Sequence, residues 1–254
     1  MIVDRSAWGR LRVTGGDRVR FLQGLTTVNA EALTTHGWGA ILNPKGRVLA
    51  VIDIAAVGDS FVIACEPSST EPVRALLERY AVMDDVVFEP VTGPAHQDWR
   101  DPASVWTAPI VEGAGAGALA DTDAAVERVR IRGGFLRYGA DVDADHFPFE
   151  TPLGGFLDYG KGCYVGQEPV FRVHAQGNAA RALRGFEIEG SEPIAVGTVI
   201  AHATRDTAGT VTSAVADPDR GTVLALGYLH RTVSDPGGTV TIAGRTARVH
   251  ELPW

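Results

Sequence analysis

Gly160-Lys161-Gly162-Cys163-Tyr164-Val165-Gly166-Gln167-Glu168-Pro169 is the stretch from which the rest of the chain is read. Glycines at 160, 162 and 166 exclude a regular helix or a strong strand there. Gln167, Glu168 and Pro169 have the composition of a first helical turn, where proline is tolerated because its missing N–H has no helical partner. The spacing therefore predicts a tight glycine-rich loop that delivers a helix N-terminus. A cation, a thiol, a phenol and a carboxylate stand within eight residues of one another, from Lys161 to Glu168.

Upstream of this loop, strand and helix signals alternate. Asp17 opens a helical stretch with Val19, Leu22 and Leu25 on one face, expected to end near Asn29. Residues 38–42 and 47–57 read as strands joined by the turn Asn43-Pro44-Lys45-Gly46, and 61–65 as a third strand. A helix follows from about Thr70, with Val73, Leu76 and Leu77 beneath it, and then a strand over 85–91. Segments 90–102 and 113–117 are rich in Pro, Gly and Ala and read as connectors, so a subdomain junction is expected near 92–102. A helix after Asp121 stops at Gly133-Gly134. Asp141, Asp143 and Asp145 alternate without the glycine and terminal glutamate of a calcium loop, and read as a solvated acidic turn.

Downstream the pattern changes. Segments 186–188, 198–201, 210–216, 223–229, 239–242 and 245–250 are short strand candidates cut by turns, the signature of a small barrel or sandwich. The fold class is α+β in front, over 1–180, and all-β behind, over 181–254.

The composition narrows the function. A net charge of −8 argues against stable nucleic-acid or anionic-membrane binding. The longest apolar run is too short to span a bilayer, and the first residues lack the apolar stretch of a signal peptide, so a cytoplasmic location is expected. Two cysteines, Cys65 and Cys163, exclude a Cys₄ zinc site or a cysteine-ligated iron–sulfur cluster within one chain. The seven histidines show no metal-ligand spacing, and no metal site is expected. Of 23 basic residues only Lys45 and Lys161 are lysine, and both precede a glycine. A thin stem with a compact charge is what distinguishes them from arginine. Lys161 beside Cys163 would lower the thiol pKa, making Cys163 a candidate nucleophile with Lys161 its activator. Cys65, inside an apolar strand, reads as packing.

KGCYVGQE closely resembles the KGCYxGQE signature of the YgfZ family, folate-binding relatives of the glycine-cleavage T-protein. Phe21-Leu22-Gln23-Gly24-Leu25-Thr26-Thr27 resembles the family's FLQGLxT helix, and Asn43 to Arg47 its PKGR turn. Arg130-Ile131-Arg132-Gly133-Gly134 resembles RIExG, Pro148-Phe149-Glu150 resembles PxE, and Gly209 to Ser213 with Leu226 to Tyr228 resemble strands of a C-terminal barrel. Two departures stand out: the family's TND appears as Thr27-Val28-Asn29, and the Glu of RIE is Arg132. The resemblance implies ferredoxin-like α+β subdomains around a central channel, followed by a small C-terminal β-barrel. It implies tetrahydrofolate as the bound cofactor, iron–sulfur assembly proteins or client enzymes as partners, and a link to tRNA modification. A monomer is expected. A folate offers a ring edge, an aromatic body and an anionic tail. Glu168, Gln167 or Glu150 suit the ring edge, Tyr164 and Phe171 a wall, and Lys161 or Arg172 the tail, with Lys45 placed among the binding residues. The function implied is a tetrahydrofolate-binding factor supporting assembly or repair of iron–sulfur enzymes. The alternative is a folate-dependent aminomethyltransferase of T-protein type.

Overall fold

The computed structural model describes residues 1–176 and 179–254. In chain order the body comprises β1 (Ile2–Asp4), β2 (Gly9–Thr14), α1 (Arg18–Leu25), β3 (His36–Leu42), β4 (Val48–Val57), β5 (Ser60–Cys65), α2 (Thr70–Tyr80), β6 (Val87–Pro90), β7 (Ala95–Asp98), β8 (Ile110–Glu112), α3 (Ala124–Gly133) and α4 (Gln167–Gln176). The C-terminal part follows with β9 (Arg181–Glu189), β10 (Val199–His202), β11 (Arg205–Asp217), β12 (Thr222–His230), β13 (Thr239–Ile242) and β14 (Arg245–His250).

Strand alternation sorts the body into two faces. The antiparallel sheet β3-β4-β5-β2-β6 places Ile52, Ile54, Ile63 and Leu11 against Leu22 and Leu25 of α1 and Val73 and Leu77 of α2. Helix α1 stops at Leu25, a turn short of the expected Asn29, because the chain finds better partners outside the helix. The Thr26 hydroxyl donates back to Leu22 O at 2.9 Å, and Thr27 exchanges bonds with Ala40: its N–H donates to Ala40 O and its hydroxyl accepts from Ala40 N.

The opposite face meets a second sheet, β1-β7-β8. Its middle strand lies within the stretch expected to be a connector. Strands of three or four residues carry too little alternation to be seen in a Pro- and Gly-rich context. Five rings, Trp8, Trp38, Trp99, Trp106 and Phe135, pack between these layers, with Trp38 and Trp106 at 4.9 and 4.8 Å from Phe135. The Arg5 guanidinium, 1% exposed, lies 4.6 Å from the Trp8 ring and pairs with Asp121 at 2.6 Å.

Helix α3 begins where the Asp123 carboxylate accepts from Ala125 N, and ends at Gly134 in the left-handed region. Its Arg130 is buried and bridges Glu127 and Asp141, each at 2.7 Å. Asp141 is 0% exposed, so the expected solvated turn is corrected at this residue: its second oxygen accepts from the Thr212 and Ser213 hydroxyls of β11.

All six expected C-terminal strands form, and they close into a barrel in the order β10-β11-β12-β9-β14-β13. Along β12, Val223 and Ala225 fill the barrel while Leu224, Leu226 and Tyr228 join the body's core. That strand is therefore buried on both faces, and the barrel docks through it.

One buried acid makes the body sensitive to pH. Glu66, after β5, accepts from Tyr138 N at 2.5 Å, but burial pushes its carboxyl from 4.5 up to about 7. The native state therefore keeps a proton that the unfolded chain has released, and stability falls as pH rises between these two values. The loss by pH 8 is expected to reach at most about 3 kcal/mol. Glu66→Gln should flatten that part of the profile, read as urea midpoints from pH 4 to 8. Parallel profiles for the two proteins would contradict the assignment.

Candidate functional site

The glycine-rich loop is fastened from behind by Lys161. Its ammonium donates to Gln23 O at 2.8 Å, Thr26 O at 2.6 Å and Val28 O at 2.7 Å, and the residue is 6% exposed. These carbonyls sit where α1 ends, and carbonyls of a helix's last turn lack helical donors. Three rotatable N–H bonds on a thin stem match three converging oxygens, which a planar guanidinium does not. Burial lowers the Lys161 pKa to about 8, and the three acceptors hold its proton in place.

The clamp is reciprocal. The Gln23 amide donates to Lys161 O, while its oxygen accepts from Ala30 N at 2.8 Å. Val165 N donates to Gly24 O at 3.0 Å. Asn29 donates to Asp158 at 2.8 Å, and the other oxygen of Asp158 accepts from Gly160 N. The FLQGLTT segment and the KGCYVGQE loop thus form one hydrogen-bonded unit.

A second contact explains two glycines. Asn43 organises its turn by accepting from Lys45 N and Arg47 N on its side chain and from Gly46 N on its carbonyl. Gly166, at φ +82°, lies so close that a Cβ would stand 2.4 Å from Asn43 O and 3.2 Å from Gly46 Cα. Gly46 is itself at φ +77°. A side chain is excluded at Gly166 by conformation and by space; at Gly46 it would be strained by the positive φ and tight, at 3.1 Å, against Gly166 O and the Val170 side chain.

These contacts distribute the expected site residues. Lys161 does not serve Cys163: its ammonium is turned inward to the α1 carbonyls, which corrects the expected activating role. Cys163 is exposed on the loop, whereas Cys65 is buried and its thiol is pushed up to about 12 by that burial. Tyr164 is buried, its ring 5.0 Å from the Lys161 ammonium. Its hydroxyl has no hydrogen-bond partner among the described residues. Gln167 is half-buried at the start of α4, with Glu168 and Arg172 exposed along that helix and Lys45 exposed on the neighbouring turn. Glu150 is placed elsewhere, at the seam to the barrel. It is 6% exposed, accepts from Phe147 N at 3.0 Å and pairs with Arg181 at 3.3 Å. Phe171 is half exposed and meets Tyr159 edge-on at 6.0 Å.

Sequence reasoning missed Gln23 and Asp158, the polar groups that bind loop to helix. A glutamine between Leu22 and Leu25 of an apolar helical face was the available signal for the first. Arg132, standing where the family pattern has Glu, pairs with Asp217 of β11 at 2.7 Å. Among the described residues no cluster of three or more His, Cys, Asp or Glu side chains could hold a metal ion. No helix among them is long and apolar enough to cross a membrane.

Comparison with known proteins agrees with this arrangement. Residues 181–254 match the family model of the glycine cleavage T-protein C-terminal barrel domain. An aminomethyltransferase of Halothermothrix orenii is 28% identical over 59% of this chain and 43% of its own, so the match spans less than half of that relative. The tRNA-modifying protein YgfZ of Yersinia pestis is 25% identical over 72% of this chain and 69% of its own. A putative chloroplastic transferase of Arabidopsis thaliana is 23% identical over the whole chain and 71% of its own. The crystal structure of the glycine cleavage system aminomethyltransferase T from Bartonella henselae superposes with a TM-score of 0.82, covering 99% of this chain and 85% of that one at 17% identity. By motif, barrel and architecture together, the chain is similar to YgfZ and to the glycine-cleavage T-protein, and it shares the fold of the latter.

Proposed function

We propose that the chain binds tetrahydrofolate at the KGCYVGQE loop and supports assembly or repair of iron–sulfur enzymes, with Cys163 as the reactive group. The observation that carries this reading is the placement of the thiol. Cys163 is exposed on a loop pinned from behind by Lys161 and from the side by the Gly46–Gly166 contact, so a side chain able to do chemistry is presented on a rigid mount.

The residues present fit a folate. The buried Tyr164 hydroxyl lacks a partner among the described residues, and a buried polar atom of this kind calls for one. Gln167 and Glu168 offer amide and carboxylate groups to a ring edge, and the exposed Lys45 and Arg172 offer charge to an anionic tail. Glu150, engaged by Arg181, positions the barrel in this account. When bound, tetrahydrofolate supplies a carried one-carbon unit or acts as an effector; the protein's part is to hold it beside the thiol.

Cys163→Ser is expected to fold normally, since the side chain is exposed, yet to fail in restoring iron–sulfur enzyme activity to cells lacking their own YgfZ-like factor. Full complementation would contradict the role given to the thiol. Aminomethyl transfer is the second reading, favoured by the relatives that are named aminomethyltransferases. Transfer from an aminomethyl-loaded lipoylated carrier protein to tetrahydrofolate, dependent on this chain, would establish it in place of the first.

A further inference from the structure

A cavity of about 370 Å³ opens where the outer wall of the barrel meets the segment around His146. Small-ligand clefts usually measure about 300–1,000 Å³, so this one suits a small molecule. Strand register builds its floor. Leu229 packs inside the barrel, so its neighbours Tyr228 and His230 point out. On that outer face Thr210 lies opposite Tyr228, and Arg181 opposite His230. His146, from the body, stacks on the Tyr228 ring at 4.4 Å, and Arg205 and Thr207 of β11 join the lining. None of the lining residues belongs to the KGCYVGQE loop, to the five-stranded sheet or to the groups offered above to folate.

Its charge runs against that of a chain with net −8. Two guanidiniums, two imidazoles and the hydroxyls of Thr207 and Thr210 line the cavity, and among the described residues no carboxylate does. Glu150 is paired with Arg181 at 3.3 Å and Asp143 with His146 at 2.6 Å. Asp145 and Asp206 are exposed and lie outside the lining. The Asp145 carbonyl accepts from Arg181 at 2.7 Å and from Arg47 at 2.8 Å, which gathers a third guanidinium nearby. Arg205 uses its Nε on Thr207 O at 3.1 Å, and His230 meets Thr232 through Nδ1 at 2.9 Å. Both Nη groups of Arg205 and the Nε2 of His230 are left without a partner among the described residues.

We propose that this cavity binds a small phosphate monoester, a sugar phosphate in size and polarity, with the phosphate on Arg205, Arg181 and His230. A tetrahedral dianion accepts from donors that converge from several strands, and guanidiniums with hydroxyls beside them are the groups that meet it. A planar carboxylate would be satisfied by one guanidinium fork and leave the other donors unused. The body of the ligand is a sugar and not a nucleobase because no aromatic face is open to it: Tyr228 is 6% exposed and covered by His146. Threonine hydroxyls suit a polyol instead.

The test is a titration of the full chain with ribose 5-phosphate, followed by calorimetry and by the ring resonances of His230. Saturable binding that moves those resonances is expected, with ribose weaker by about tenfold or more because it lacks the charge. Arg205→Gln should weaken binding of the phosphate by about tenfold. Thr207→Glu, which sets a carboxylate beside the incoming anion, should weaken it at least as much. Both positions are exposed, so both variants are expected to fold. Tetrahydrofolate at saturation should leave the titration unchanged, which keeps this site's failure distinct from failure of the folate reading. Absence of saturable binding, equal binding of ribose and its phosphate, indifference to both variants, or displacement by tetrahydrofolate would each overturn the proposal. A single-stranded RNA that shifts His230 at lower concentration than ribose 5-phosphate would overturn it too, by giving the face to a polymer.

Discussion

Lys161→Ala is expected to lower the stability of the folded protein by about 4 kcal/mol, one of the two largest single-residue effects in this account. The ammonium serves three carbonyls at the end of α1, and truncation removes that donor from all three, leaving Val28 O only the long 3.5 Å contact from the Thr26 hydroxyl. Charge-assisted bonds of this kind contribute about 1.5–3 kcal/mol each, reduced by the desolvation that the lysine itself no longer suffers. Lys161→Arg should recover little, because a planar fork cannot meet three oxygens converging on one atom. Urea denaturation of the three proteins checks both statements. An arginine variant as stable as the wild type would show that charge alone is needed and would remove the geometric argument.

Arg130→Met should cost about 3–5 kcal/mol, the range for removing one member of a buried ion pair. Arg130 holds Glu127 and the fully buried Asp141, and also donates to Phe135 O at 2.6 Å. Asp141 in turn accepts from Thr212 and Ser213 and so ties the body to the barrel. With Arg130 gone, that carboxylate is left buried and largely uncompensated. The double variant Arg130→Met/Asp141→Asn should recover part of the loss, since the second change removes the stranded charge. Thermal unfolding is the measurement. A loss below about 1 kcal/mol in the single variant would place the barrel's attachment elsewhere.

These two residues also mark where the sequence was and was not legible. The barrel could be read because its strands are short apolar runs cut by turns, as along β12, whose Val223 and Ala225 face in and whose Leu224 and Leu226 face the body. The glycine-rich loop and the helix after it could be read because glycine at 162 and 166 admits the positive-φ turn conformations that other residues avoid, and proline at 169 suits a first helical turn. The sheet β1-β7-β8 could not, since its strands are too short for a period to declare itself. Nor could the direction of Lys161. A lysine two residues before a cysteine suggests a charge beside a thiol, but in the folded chain the stem turns to carbonyls 133 to 138 residues away in sequence. Arg130 and Asp141 were visible only as a motif arginine and one of three alternating aspartates. Their pairing is a product of tertiary packing, on which local spacing is silent.

Ligand binding is the central claim of the proposed function, and calorimetric titration with tetrahydrofolate tests it most directly. The account predicts saturable binding at a single site in the micromolar range, accompanied by a rise in melting temperature at excess ligand. Tyr164→Phe, which removes only the unpartnered hydroxyl, should weaken that binding by about tenfold. A flat trace with an unchanged melting temperature would contradict it.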